Sequence, residues 1–213
     1  MSTSRDTVLA RIRHALTDIP TDEQPADHPV RRDYLHTHTP DDPQALLDLL
    51  AENLTDYRAL VHRTTPDALP ALLARLLTDR GTRTLVVPAG LPQDWLTETT
   101  AGQLPDDGTL TARRLDDTDS VITGCALAIA ETGTLVLDAG PGQGRRLLTL
   151  VPDHHICVVL AGQVVASVPQ ALPLLDPARP QTWISGPSAT SDIELDRVEG
   201  VHGPRTLEVV IVQ

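Results

Sequence analysis

The sequence contains no lysine and no phenylalanine. All 17 basic residues are arginine, which excludes chemistry that requires a primary amine: a Walker-type phosphate loop, a Schiff-base nucleophile or a pyridoxal-phosphate anchor. Fixed positive charge in a site must then come from arginine, whose planar fork suits bidentate binding of carboxylate or phosphate. With aromatics at only 2%, Leu, Val, Ala and Ile must fill the core. Two cysteines, Cys125 and Cys157, are too few for a four-thiolate iron–sulfur cluster or an all-cysteine zinc site. Each lies in an apolar stretch (GCALAIA and HICVVL), the usual setting of a small buried free thiol. No run approaches the roughly 20 apolar residues of a membrane helix. The opening segment Met1 to Asp6 is polar and does not read as a secretory signal, so the cytoplasm is the expected location and a disulfide is not expected. A formal charge of −12 argues against nucleic-acid binding, because phosphate recognition needs a positive footprint. Local arginine clusters remain able to hold a small anion.

What is present suits one α/β domain with an N-terminal appendage. The chain has 213 residues, 40% of them apolar, enough for a real core. Val8, Leu9, Ile12, Ala15 and Leu16 share one face at helical spacing, predicting an amphipathic helix over 5–16. Residues 18–43 are rich in Pro, Asp and Thr and read as a linker or extended arm. This divides the chain into an N-terminal helix and linker, 1–40, and a domain over 41–213. Asp42-Pro43 marks a helix start before Ala45 to Leu54, and Pro66 to Arg80 reads as a helix closed by Gly81. Strands are predicted at 59–61, 84–87, 125–130, 135–137, 156–160, 163–165, 183–184 and 207–212, with short helices at 92–97 and 169–174. Early βαβ alternation implies parallel pairing, and the close spacing of later strands implies antiparallel hairpins. The expected architecture is a mixed α/β sheet flanked by helices.

Three loops carry polar and glycine residues that a scaffold does not require. In Ala130-Glu131-Thr132-Gly133-Thr134, a carboxylate at a strand end sits beside a glycine that permits close backbone approach. Glu131 could serve there as base, nucleophile or ligand acceptor, or simply as a turn residue paired with an arginine. In Ser185-Gly186-Pro187-Ser188-Ala189-Thr190-Ser191-Asp192-Ile193, hydroxyls and free N–H groups after Gly-Pro could form an anion pocket or a plain helix cap. In Gly200-Val201-His202-Gly203-Pro204-Arg205, a histidine on a constrained loop could be acid, base, metal ligand or structural. Gly140 to Arg146 reads as a mobile glycine-rich loop ending in Arg145 and Arg146. His154 and His155 precede a strand; if the strand begins there they point to opposite faces and make poor joint metal ligands. His36 and His38 read as solvated linker residues.

These segments, with Ile122-Thr123-Gly124-Cys125 before them and Asp192-Ile193-Glu194 among them, occur in an order and spacing that resemble the lactate-utilisation protein C family, also called YkgG-like or LUD-domain proteins. The likeness runs from about Asp41 to the C-terminus and is strongest from Ser120 onward. It implies a Rossmann-like mixed sheet of the NagB/RpiA/CoA-transferase type. It also implies a role in oxidising L-lactate to pyruvate, beside an FAD- or iron–sulfur-type partner and a second iron–sulfur protein. The electron carriers would then sit on partner proteins, with no cofactor or metal on this chain. One position departs from the family: its usual Gly-Pro-Ser-Arg-Thr-Ala-Asp reads here with Ala189 in place of Arg. The anion contact of that arginine is lost or passes to Arg145, Arg146 or Arg205.

The leading expectation is a non-redox subunit binding a small carboxylate or a partner protein. Its catalytic candidates are Glu131, Asp192 and His202. Its ligand-binding candidates are Thr132, Gly133, Thr134, Arg145, Arg146, Gly186, Ser188, Thr190 and Arg205, with Glu131, Ser188, Asp192, His202 and Arg205 lining one pocket. The alternatives are a stand-alone enzyme using Glu131 on an acyl, folate-like or sugar-phosphate substrate, by analogy with CoA-transferase-like folds, and a scaffold whose loops matter only for folding.

Overall fold

Leucines at helical spacing build the two long helices of the main unit. In α2 (Pro43–Asp56), Leu47, Leu50 and Leu54 are buried, and the Asp42 side chain caps the start by accepting from the Gln44 N–H. In α3 (Leu69–Asp79), Leu69, Leu72, Leu73, Leu76 and Leu77 are buried. A separate 3-10 turn over Pro66–Ala68 precedes it, and Gly81 follows its end with φ 69°, a left-handed conformation that glycine adopts without strain. The computed structural model describes residues 3–20, 35, 42–190, 198–199 and 203–213. They fall in two compact units, Met1–Tyr34 and Leu35–Gln213. In the first, α1 (Ser4–Ala15) opens with a reciprocal cap between Thr3 and Asp6, and Val8, Ile12, Leu16 and Ile19 are exposed.

In the main unit the remaining elements follow in order. They are β1 (Leu60–Thr64), β2 (Thr84–Pro88), β3 (Gly102–Asp106), α4 (Ala112–Asp116), β4 (Ser120–Thr123), β5 (Leu127–Ile129), β6 (Thr134–Leu137), β7 (His154–Leu160), β8 (Val164–Val165), α5 (Val168–Ala171), β9 (Thr182–Ile184), β10 (Ala189–Thr190), β11 (Val198–Glu199) and β12 (Thr206–Val212). Among the described residues, six strands form a wholly parallel sheet in the order β1-β12-β7-β4-β2-β3. A second sheet runs β8-β5-β6-β9, with β5 antiparallel to β6, β6 antiparallel to β9, and β8 parallel to β5. β10 and β11 form a separate antiparallel pair, so the chain has the expected α/β class, but its antiparallel pairings lie outside the parallel sheet among the described residues. Sequence reasoning passed over β3, α4, the central strand β4 and the short pair β10 and β11. β3 is an edge strand carrying Gly102 and Pro105, residues that weaken a strand signal yet are tolerated at an edge.

Alternation along the central strands creates two cores. Ile156, Val158, Val210 and Val212 face α3, whereas Cys157, Val159, Leu207, Val209 and Ile211 face α2 and the second sheet. Both cysteines are buried free thiols, and hydrogen bonding with Cys157 together with burial pushes the Cys125 thiol up. No helix among the described residues is long and apolar enough to cross a membrane.

Open parallel sheets commonly bind ligands where the strand order reverses, here between the carboxyl ends of β2 and β4. This chain fills that crevice with its own glycine-rich loop. The Gly142 N–H donates to the Ala89 carbonyl (2.9 Å), and the Gly124 N–H donates to the Gly142 carbonyl (2.8 Å). A Cβ on Gly90 would lie 2.9 Å from the Pro141 Cβ, so only glycine admits so close an approach. The loop read as mobile in sequence is stitched to the sheet.

Candidate functional site

A cavity of about 330 Å³ opens on the second-sheet side of the parallel sheet, near the amino ends of β7 and β12. Its floor includes His155 and Leu207, one wall is the segment 182–188 of β9 and the loop after it, and the rim includes Arg146, Thr149 and Leu150. Gly203 and Pro204 close it beside Ser188, whose N–H donates to the Pro204 carbonyl (2.9 Å). Gly186, at φ 85°, fits here because a Cβ would lie 2.6 Å from the Tyr57 carbonyl oxygen.

The polar groups of this cavity differ in commitment. Arg146 is exposed, and no acidic partner holds its guanidinium among the described residues. Thr149 donates its hydroxyl to the Arg146 carbonyl (3.1 Å). His155 is buried; its Nε2 lies 2.8 Å from the Thr123 hydroxyl, while its Nδ1 has no hydrogen-bond partner. Burial, followed by the nearby charge of His154, lowers its pKa to about 3, so the ring is neutral at ordinary pH.

On the opposite face of the sheet lies a closed polar chain. Thr82 Oγ1 meets Ser120 Oγ (2.7 Å), and Ser120 Oγ meets His154 Nδ1 (2.8 Å). His154 Nε2 meets Glu208 Oε1 (3.1 Å), and Glu208 Oε2 meets His62 Nε2 (2.7 Å). Burial works against the Glu208 carboxylate, but hydrogen bonds from His154 and His62 outweigh it and hold its pKa near 2. Ser, His and Glu in that order resemble a nucleophile relay by residue type. Ser120 is nevertheless fully buried and none of these side chains lines the cavity, so the chain acts as a clamp across β1, β12, β7 and β4.

The structure sorts the residues singled out in sequence. Arg146, Gly186 and Ser188 line the cavity. Glu131 and Thr132 line a separate shallow depression with Asn53, Asp56 and Tyr57. Their turn is pinned from below: Asn53 Nδ2 donates to the carbonyls of Ala130 (2.8 Å) and Glu131 (3.1 Å), and a Cβ on Gly133 would lie 2.9 Å from the Asn53 carbonyl carbon. Thr134 Oγ1 bonds Thr132 Oγ1 (2.7 Å) and Ser185 Oγ (2.8 Å), tying the turn to β9. Arg145, expected as an anion ligand, instead grips Asp106 at the end of β3 (Nη2–Oδ1 2.9 Å) and donates to the Leu110 carbonyl. Arg205, expected in the pocket, lies just before β12 and is engaged by Asp153, just before β7 (Nη2–Oδ2 2.6 Å). The backbone of Thr190 pairs with Val198 in a short hairpin. Asp192 and His202 lie outside the described residues. Sequence reasoning missed His155 as a cavity residue. The only available signal was an imidazole inside an otherwise apolar strand, HICVVL. Among the described residues no cluster of three or more His, Cys, Asp and Glu could hold a metal ion.

A family model described as the LUD domain matches residues 47–212. The chain is 46% identical over 171 residues to a protein of Deinococcus radiodurans named lactate utilization protein C, covering 78% of this chain and 79% of that one. A protein of the same name from Halalkalibacterium halodurans is 26% identical over 183 residues, covering 79% of each. Among solved structures, the crystal structure of a DUF162 family protein from Deinococcus radiodurans superposes with a TM-score of 0.69 at 37% identity, covering 82% of this chain and 100% of that one. On the extent of these matches, the chain belongs to the LUD domain family.

Proposed function

We propose that this chain is a non-redox component of an L-lactate oxidation system in the cytoplasm, binding a small carboxylate while the iron–sulfur clusters reside on partner proteins. The observation that carries the reading is Arg146, an arginine with no acidic partner among the described residues, at the rim of an open cavity. A guanidinium in that position invites a carboxylate, and Ser188 and the backbone around Gly186 supply further polar contacts. The names of the relatives direct the choice of acid to lactate or pyruvate. The two cysteines form part of the buried core, which supports placing electron carriers elsewhere. In this reading the fold is one of the NagB/RpiA/CoA-transferase type put to use in binding.

The test is growth on L-lactate by cells lacking the gene, complemented by wild type or Arg146→Gln after both proteins are shown to fold. Growth restored by wild type and impaired with Arg146→Gln is the expected result. Failure of wild type to matter for growth on lactate would overturn the pathway assignment. Full rescue by Arg146→Gln would overturn the carboxylate site.

A further inference from the structure

His155 Nδ1 is the buried side-chain atom left without a hydrogen bond among the described residues. Buried polar groups are otherwise almost always paired, so an orphan at a cavity floor points to a partner that the protein itself does not supply. A neutral imidazole offers one N–H and one lone pair. Because Nε2 meets a hydroxyl able to donate or accept, Nδ1 can take either role toward a ligand. Arg146 at the rim and His155 at the floor thus provide a charge and a separate neutral hydrogen bond. Between them the lining is mixed: Leu150, Trp183, Ile184, Pro187 and Leu207 give apolar surface beside the hydroxyl residues Thr182, Ser185 and Ser188.

Size narrows the occupant. The cavity measures about 330 Å³. At about 30 Å³ per water-sized group, lactate fills roughly half of such a space and leaves the apolar surface wet. We propose, building on the small-carboxylate reading, that this cavity takes a 2-hydroxy or 2-oxo acid with a side chain larger than methyl, aromatic ones fitting best. Arg146 meets the carboxylate, His155 Nδ1 meets the 2-oxygen, and Trp183 with its apolar neighbours covers the side chain.

Calorimetric titration of the full chain with L-lactate, 3-phenyllactate and 3-phenylpropionate, which lacks the 2-hydroxyl, tests this. Phenyllactate should bind at least about tenfold more tightly than L-lactate, the low end of what burying a phenyl group gives. It should also bind more tightly than phenylpropionate. Arg146→Gln should weaken every acid, and His155→Leu should erase the gap between phenyllactate and phenylpropionate. If His155→Leu does not fold, the comparison of those two acids on wild type carries the same information. Equal or tighter binding of lactate overturns the size argument and leaves the small-carboxylate reading standing. Equal affinity for phenyllactate and phenylpropionate overturns the role of His155. No binding of any acid overturns both the inference and the carboxylate site, whatever the growth phenotype shows.

Discussion

Two adjacent histidines at the start of β7 share a backbone and nearly the same burial, yet they occupy opposite situations. His154 faces the side where every link from Thr82 through Ser120 and Glu208 to His62 is made. His155 lines the cavity, with one nitrogen bonded to Thr123 and the other without a partner among the described residues. Strand pleating alone sends them apart. The finished network stabilises the fold, and the unfinished one is what the proposed ligand would complete.

The comparison can be broken first through stability. Glu208→Leu strands two histidine partners and should cost about 3 kcal/mol or more, measured by urea unfolding at neutral pH. His155→Leu removes an orphan nitrogen together with one hydrogen bond, to the Thr123 hydroxyl, and its cost should be smaller. Equal losses would erase the distinction between the two faces.

Acid titration sharpens it next. His155 has a folded pKa of about 3 against 6.5 ordinarily, so between those values the unfolded chain binds the extra proton. Its contribution is complete above pH 6.5 and is lost as pH falls, at up to about 1.4 kcal/mol per pH unit. Glu208, near 2 against 4.5, adds a loss of the same sign between pH 4.5 and 2. Unfolding free energies of His155→Leu should therefore fall less steeply than wild type between pH 6.5 and 4.5. Parallel slopes would mean that His155 is not held neutral.

At the rim the expected effect moves from stability to binding. Arg146→Gln should change stability by no more than about 0.5 kcal/mol while weakening acid binding, since its side chain is exposed and has no acidic partner among the described residues. The smallest effect is expected from Glu131→Gln. Glu131 lines a different depression, so affinity for acids in the cavity should be unchanged by titration. A clear loss there would join the two depressions into one functional site.

Much of the scaffold was legible because its signals are local. Asp42-Pro43 set the start of α2, Gly81 marked the end of α3, and the apolar run at 207–212 announced β12. Loop composition also brought forward Arg146, Gly186 and Ser188. The commitments of neighbouring residues were not legible. Arg145 and Arg146 are equivalent on paper, but Asp106, 39 residues away, claims Arg145 alone. The same holds for His155, whose partner Thr123 lies 32 residues earlier.

Read as a string of residues, the chain already shows that every fixed cation is arginine, that the core is aliphatic, and that strands and helices alternate in an α/β order. Those properties follow from composition, spacing and turn chemistry over a few residues. Folding in three dimensions separates a wholly parallel sheet from a mixed one, lays a glycine loop in the crevice at the strand-order reversal, and leaves the Nδ1 of a cavity-lining histidine without a hydrogen-bond partner among the described residues. Whether a polar group is satisfied depends on atoms brought together by strand register, and register is fixed by packing across the whole sheet.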